Sequence, residues 1–291
     1  MSEVDPPRFR PDLYKGTAAY YEQFRPPYPD ALLADLRNRL AISGDDRLLD
    51  LACGTGQVAA PLSGFFRETV AVDAEAETIA FASGNAARLG RPGIRWLVGT
   101  AESPPVSGTF ELIAIGTAFH RLDRPAVARR MRELVTADGA VALLWSPVPS
   151  DGDQPWQQEL RQIIVDWLDR SGSADRMPSG WQEALAASPD RQVLERAGFT
   201  YLGRFEFPRD ETWTVNALIG FMYSTSILSR AALGSAIPDF EADLARVSLG
   251  RAGRRARACA RRPSPARVAA SLRPCSGEAA GTANHPNPAE R

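Results

Sequence analysis

The stretch Leu48-Leu-Asp-Leu-Ala-Cys-Gly-Thr-Gly-Gln57 decides the fold. A short apolar run enters a Gly-x-Gly turn, the pattern of a buried strand passing into a helix. Glycine belongs there because the chain must turn tightly and let a ligand approach the backbone, while the first helical amides face that ligand as donors. With Ala59 the segment also satisfies a loose GxGxxA pattern, which marks either a plain strand-to-helix turn or a nucleotide loop.

Working outward, β-rich runs at 47–52, 69–73, 94–98, 110–115 and 140–145 alternate with helical patterns near 56–64, 75–90 and 124–136. The runs are short and almost wholly apolar, as strands buried on both faces are. The alternation predicts an α/β fold, a Rossmann-like, mostly parallel sheet with helices on both faces. After Trp145 the rhythm breaks. Residues 153–170 place Trp156, Leu160, Ile163, Ile164, Trp167 and Leu168 on one helical stripe, a spacing that makes the tryptophans core residues first. Helical patterns near 181–197 and 214–230 enclose a strand pair or one long strand at 200–207. Residues 147–188 read as a helical cap inserted over the carboxyl ends of the strands.

The composition, 44% apolar and 24% charged over 291 residues, excludes fibrous and wholly disordered classes. The net charge of −1 hides an uneven division: residues 250–291 carry nine Arg and two Glu, leaving about −8 on the rest. Those 42 residues hold eleven Ala and five Pro but only Val268 and Leu272 as larger apolar residues. The division predicts an N-terminal extension at 1–17, a folded domain at 18–248 and a basic, disordered, low-complexity tail at 249–291. The tail lacks aromatics for base stacking, so no specific nucleic-acid partner is expected. Neither a secretory leader nor a membrane-spanning run is present, which predicts a cytoplasmic chain without a membrane partner. Cys53, Cys259 and Cys275 have no metal-ligand spacing, and neither zinc nor structural disulfides are expected.

Further chemistry gathers at strand ends. Asp73 closes the second strand, 17 residues beyond Gly56, where a carboxylate accepts ribose hydroxyls or merely caps the next helix. Val98-Gly-Thr-Ala-Glu-Ser-Pro-Pro105 leaves the third strand, and Gly116-Thr-Ala-Phe-His-Arg-Leu-Asp123 leaves the fourth. Open α/β sheets bind their ligands at such ends.

These segments, with Asp50-Leu-Ala-Cys-Gly-Thr-Gly56 first among them, resemble the class I S-adenosylmethionine-dependent methyltransferases, in particular the small-molecule group of trans-aconitate and quinone-biosynthesis type. The resemblance covers about residues 18–146. It is similar at Gly99-Thr-Ala-Glu102 to the family's adenine-contacting element and at Ala137-Asp-Gly-Ala-Val-Ala142 to its turn into the fifth strand. The resemblance implies S-adenosyl-L-methionine as cofactor, bound by Tyr21, Arg25, Asp50, Ala52, Gly54, Thr55, Gly56, Asp73, Ala74, Thr100, Ala101, Glu102 and Gly116. Asp50 would belong to the methionine end, a residue that a dinucleotide-binding dehydrogenase reading leaves unexplained. In Ala19-Tyr-Tyr-Glu-Gln-Phe-Arg-Pro-Pro-Tyr-Pro29, Arg25 would pair with the methionine carboxylate and Tyr21 would close over the site; otherwise the segment is a packing helix with a surface Arg. His120 is the candidate catalytic base, or else a wall of the pocket. Departures from the family are Thr100 for the usual Asp, Asp138 for a Gly, and His120-Arg121 where His-Trp is common. Members usually end in a strand antiparallel to the fifth, and nothing after Leu249 has that character. The implied activity is methyl transfer to an O, N or C atom of a small-molecule metabolite under the cap. The alternative is a catalytically defective or non-catalytic S-adenosylmethionine-binding protein with an aberrant C-terminus.

Overall fold

The structure, a computed structural model, describes Phe9, residues 13–91 and 93–247, and the backbone of 260–274. Strand β1 (Arg47–Leu51) lies between β2 (Glu68–Asp73) and β4 (Phe110–Gly116), with β3 (Ile94–Val98) beyond β2 and β5 (Val135–Trp145) beyond β4. All these pairs are parallel, as Leu49 opposite Val70 and Ile113 shows. The sheet order therefore reverses at β1, between the chain's first and fourth strands.

Alternation along the strands divides the core. Leu49, Leu51, Val70, Val72, Ile113 and Ile115 face one side, where α5 (Arg124–Leu134) and α8 (Asp190–Arg196) cover them with Met131, Leu134 and Leu194. Leu48, Leu112, Ala114 and Leu144 face the other, against Leu32 and Leu36 of α2 (Asp30–Arg39) and Leu62 of α3 (Ala59–Leu62). α4 (Ala76–Arg88) follows β2 and packs through Ile79 and Ala86 against Ala71 and Ile94. Side chains buried on both faces are what the apolar runs required.

The expected cap is one part of a larger helical cluster. α6 (Pro155–Arg170) buries Trp156, Leu160 and Trp167 against α9 (Val215–Tyr223) and α11 (Ile237–Leu244), with α10 (Arg230–Leu233) completing the group. The tryptophan stripe is thus core. α1 (Ala18–Phe24) packs on α9 so closely that a Cβ at Gly220 would lie 2.3 Å from the Phe24 ring. The helical pattern at 181–197 is broken at Pro189, which separates α7 (Trp181–Ala187) from α8 because proline cannot continue the backbone ladder. Of the strand pair or long strand expected at 200–207, the structure shows two strands, β6 (Phe199–Tyr201) and β7 (Arg204–Trp213), parted at Gly203 with φ +147°. The helix expected at 214–230 ends at Tyr223.

The structure corrects one expectation about the tail. Residues 260–274 form β8 (Ala260–Pro274), antiparallel to β5 on one side and to β6 and β7 on the other. A strand in that place is held by backbone ladders, which the composition argument ignored. Pro263 and Pro265 pair only with β7, beyond the β5 ladder that runs from Arg267 to Leu272. Proline donates nothing to a ladder, and here it sits where β8 has a single neighbour. Residues 248–259 and 275–291, the remainder of the expected tail, lie outside the described residues.

Asp50 is fully buried in β1, and its Oδ2 accepts the Ala59 N–H at 2.9 Å, fastening the start of α3 to the strand. Burial pushes its carboxyl up to about 8, so it is protonated at neutral pH.

Two predictions follow from this packing. An unfolded aspartate titrates near ~3.9, so folding takes up a proton between that pH and about 8, and stability falls as pH rises through the window. Asp50→Asn, neutral throughout, should gain melting temperature relative to wild type steadily from pH 5 to pH 8; a gap that does not change with pH would show an ionised Asp50. Gly220→Ala should lower unfolding free energy by ~1–3 kcal/mol through overpacking, measured by denaturant titration, and Phe24→Leu in the same chain should recover part of the loss.

Candidate active site

The carboxyl ends of β1 to β4 open into a cavity of about 360 Å³ at the point where the sheet order reverses. Each strand contributes its following loop: Ala52, Gly54 and Thr55 after β1, Asp73, Ala74 and Glu75 after β2, Gly99 to Glu102 after β3, and Gly116 to Ala118 after β4. Arg121 and Leu122 follow on the same side. Phe9, Leu13, Tyr14, Thr17, Ala18 and Tyr21 form the opposite wall.

Backbone conformation explains why the β1 loop has its sequence. Ala52, Gly54 and Gly56 all lie in the left-handed region, at φ +52°, +55° and +86°. Gly56 does not line the cavity. A Cβ there would meet the Trp96 ring at 2.5 Å, so its glycine serves the turn and the packing of β3. Gly54, by contrast, has open space where a Cβ would stand, on the cavity side of the loop.

Asp73 ties two loops together. Its Oδ2 accepts the Gly54 N–H at 2.9 Å and its Oδ1 accepts the Glu75 N–H at 3.0 Å. Burial raises its pKa, while amide donors at Glu75, Gly54 and Ala74 oppose the rise. A carboxylate has about four lone-pair directions, so acceptor capacity is left over on a residue that lines the cavity. Thr55 Oγ1, also on the wall, is buried with no partner. A cradle of backbone amides, a carboxylate with free acceptor capacity and an orphaned hydroxyl fit an adenosyl group bearing hydroxyls and an amino-acid end.

Of the sequence-derived set, Tyr21, Ala52, Gly54, Thr55, Asp73, Ala74, Thr100, Ala101, Glu102 and Gly116 are brought together on this cavity. Asp50 and Gly56 are not; they lie behind the loop and support it. Arg25 also does not line the cavity. Its Nε donates to Ser224 Oγ at 2.8 Å, and its guanidinium lies 4.2 Å from the Phe221 ring centroid, because α9 packs on α1 and draws the side chain to that side. Glu102 accepts the Asp123 N–H at 3.1 Å, joining the β3 and β4 loops.

His120 likewise stands outside the cavity lining. Its ring packs at 4.8 Å from Trp145 and 6.2 Å from Trp181, and its Nε2 accepts a hydrogen bond from Arg121 Nε at 3.2 Å. Burial, with Arg121 and Arg124 nearby, pushes its pKa down to about 3. The imidazole is therefore neutral, with its proton on Nδ1 because Nε2 accepts. A base that weak argues against proton abstraction by His120 at neutral pH.

Sequence reasoning missed Phe9, Leu13, Tyr14 and Thr17, which it had placed in an extension ahead of the domain, as well as Glu75, Thr78, Thr117 and Arg121. Arg121 had a signal in its departure from the His-Trp pair. Its neighbours on the wall had none beyond proximity to a strand end. Cys53 is buried and its thiol is pushed well up, consistent with a packing residue. Among the described residues no group of three or more His, Cys, Asp or Glu could hold a metal ion, and no helix is long and apolar enough to cross a membrane.

Comparison with known proteins agrees with the geometry. Residues 48–139 match a methyltransferase domain family. An uncharacterized methyltransferase of Schizosaccharomyces pombe is 24% identical over 219 residues, 75% of this chain and 80% of that protein. The uncharacterized methyltransferase YcgJ of Bacillus subtilis is 29% identical over 146 residues, 50% of this chain and 56% of that protein. Among solved structures, a candidate type II methyltransferase of Anaeromyxobacter dehalogenans shares the fold with a TM-score of 0.57 at 20% identity, covering 86% of this chain and 97% of its own. The matched domain and these relatives support a class I S-adenosylmethionine-dependent methyltransferase, and the common sheet shows the Rossmann-like fold.

Proposed function

We propose that the protein transfers a methyl group to an O, N or C atom of a small-molecule metabolite, using the cavity at the β1 to β4 ends for S-adenosylmethionine. The observation that carries this reading is the wall itself: a cavity of about 360 Å³, with strand-end loops on one side and Phe9, Leu13, Tyr14, Thr17, Ala18 and Tyr21 on the other. That size is in the range of small-ligand sites, roughly 300–1,000 Å³.

The proposed roles follow the chemistry of each group. Asp73 accepts the ribose hydroxyls with the lone-pair capacity its amide bonds leave free. Thr100, Ala101 and Glu102 border the adenine, and the Gly54-Thr55 amides with the Thr55 hydroxyl border the methionine end. Tyr21, with Tyr14 and Thr17, closes the site from above. When bound, S-adenosylmethionine supplies a methyl group on a sulfonium that departs as a neutral thioether. Orientation then matters more than acid chemistry. Among the described residues no imidazole borders the cavity, and His120 is too weak a base to take a proton from an acceptor at neutral pH. The residues of the site bind, align and exclude water, and the acceptor attacks as an already electron-rich atom (an ionised oxygen, an amine or an enolate-type carbon), any proton it still carries passing to solvent after transfer.

Titration calorimetry with S-adenosylhomocysteine should show binding to the wild type. Asp73→Asn should weaken it ~10–100-fold, the effect of losing hydrogen bonds to a charged group worth ~1.5–3 kcal/mol; an unchanged dissociation constant would remove Asp73 from the ribose site. Incubation of a dialysed extract, supplemented with its own low-mass fraction, with methyl-labelled S-adenosylmethionine should place enzyme-dependent label in that low-mass fraction. Label confined to protein or nucleic acid would overturn the small-molecule assignment.

A further inference from the structure

A cavity that accepts an amino-acid end must answer its carboxylate. Among the described residues lining the cavity, Asp73, Glu75 and Glu102 are acidic and Arg121 is the cation. Its guanidinium is held in place from three directions. Nε donates to His120 Nε2 at 3.2 Å, Nη1 donates to Ser226 Oγ at 3.0 Å, and the Phe9 and Tyr14 ring centroids lie 5.2 and 5.1 Å from its central carbon. Every one of these partners is neutral. No described carboxylate forms an ion pair with it, so its charge remains available to a ligand. A protonated His120 would oppose the arginine; the neutral ring accepts from it instead.

Arg25 is placed differently. It is engaged by Ser224 and by the Phe221 and Tyr21 rings, and it opens onto a separate groove lined by Phe24, Asp30, Glu211 and Trp213. Both arginines bear electrostatically on the Tyr21 hydroxyl.

We infer that Arg121, at the end of β4, is the residue that binds the carboxylate of the cofactor's methionine end, a role the motif resemblance gave to Arg25. The contact is a charge-assisted, potentially two-pronged bond from a fixed guanidinium. His120 then has a positioning role, accepting from Nε so that the remaining N–H groups face the cavity. The inference rests on the proposal that this cavity binds S-adenosylmethionine.

The test compares two ligands that differ at the amino-acid end. S-adenosylhomocysteine carries the carboxylate, and 5′-methylthioadenosine keeps the adenosine and thioether without it. By calorimetry, Arg121→Met should lose ~10–100-fold in affinity for S-adenosylhomocysteine and change little for methylthioadenosine, whose retained binding also shows that the variant is folded. Arg121→Lys should keep most of the discrimination between the two ligands, because the charge remains. Arg25→Met should leave the ratio of the two affinities at its wild-type value. The assignment to Arg121 is overturned if Arg121→Met binds S-adenosylhomocysteine like the wild type, if it weakens both ligands equally while Arg121→Lys also loses the discrimination, or if Arg25→Met alone shows the selective loss. A wild type that binds neither ligand would instead refute the cofactor site and the inference with it.

Discussion

The site depends on one side chain. Asp73 reaches from the end of β2 to the Gly54 amide and also holds the amide of Glu75, so a single carboxylate fixes the loops that follow two adjacent strands. The β1 loop needs that anchor because Ala52, Gly54 and Gly56 are left-handed and give their amides no regular helical partners. Two backbone bonds, Cys53 N–H to Val72 O at 3.0 Å and Gly56 N–H to Cys53 O at 2.9 Å, complete the frame. The same residue lines the cavity. The loop architecture of the cavity therefore draws on one group.

The electrostatics of the site follow from burial. Asp50 behind the loop is forced neutral, which removes a charge that would otherwise repel Asp73. Asp73, with amide donors on both oxygens, is better placed to keep its charge. Across the cavity His120 is neutral and Arg121 is charged. The wall thus has negative charge along the β2 and β3 loops and positive charge beyond β4. Such a gradient acts on any charged or dipolar molecule that approaches the cavity.

Most of the sheet was legible in the sequence because its signals are local. Leu48–Leu51 is apolar enough to be buried on both faces, Gly54 and Gly56 mark a turn no other residue takes easily, and Asp73 stands where the next strand must end. What escaped depends on chain crossing. Phe9 and Tyr14 reach the cavity only because the segment before β1 folds over the strand ends, and no pattern within residues 1–17 encodes that path. Arg25 looked available until α9 packed against α1 and enclosed it between Ser224 and Phe221. Strand β8 was missed for another reason: composition measures side chains, whereas a strand between two neighbours is held chiefly by its ladders.

Left-handed backbone at residues other than glycine marks where the fold is strained for the site. Three such residues occur among those described: Ala41, Ala52 and Thr117, with φ of +50°, +52° and +50°. Ala41 follows α2, a usual place for this conformation at a helix end. Ala52 and Thr117 instead leave β1 and β4, the strands on either side of the reversal, and both line the cavity. Each conformation costs roughly 1–2 kcal/mol, which glycine would avoid. At Thr117 the side chain explains itself: its Oγ1 shares a hydrogen bond of 2.9 Å with the Tyr28 hydroxyl, while its N–H donates to Leu144 O at 2.8 Å. The strain there is offset by bonds that tie the β4 loop to the segment before α2. At Ala52 the β1 ladder at Leu51 holds the chain before it and the bonds at Cys53 and Gly54 hold the chain after it, so this strain is imposed by the loop that lines the cavity.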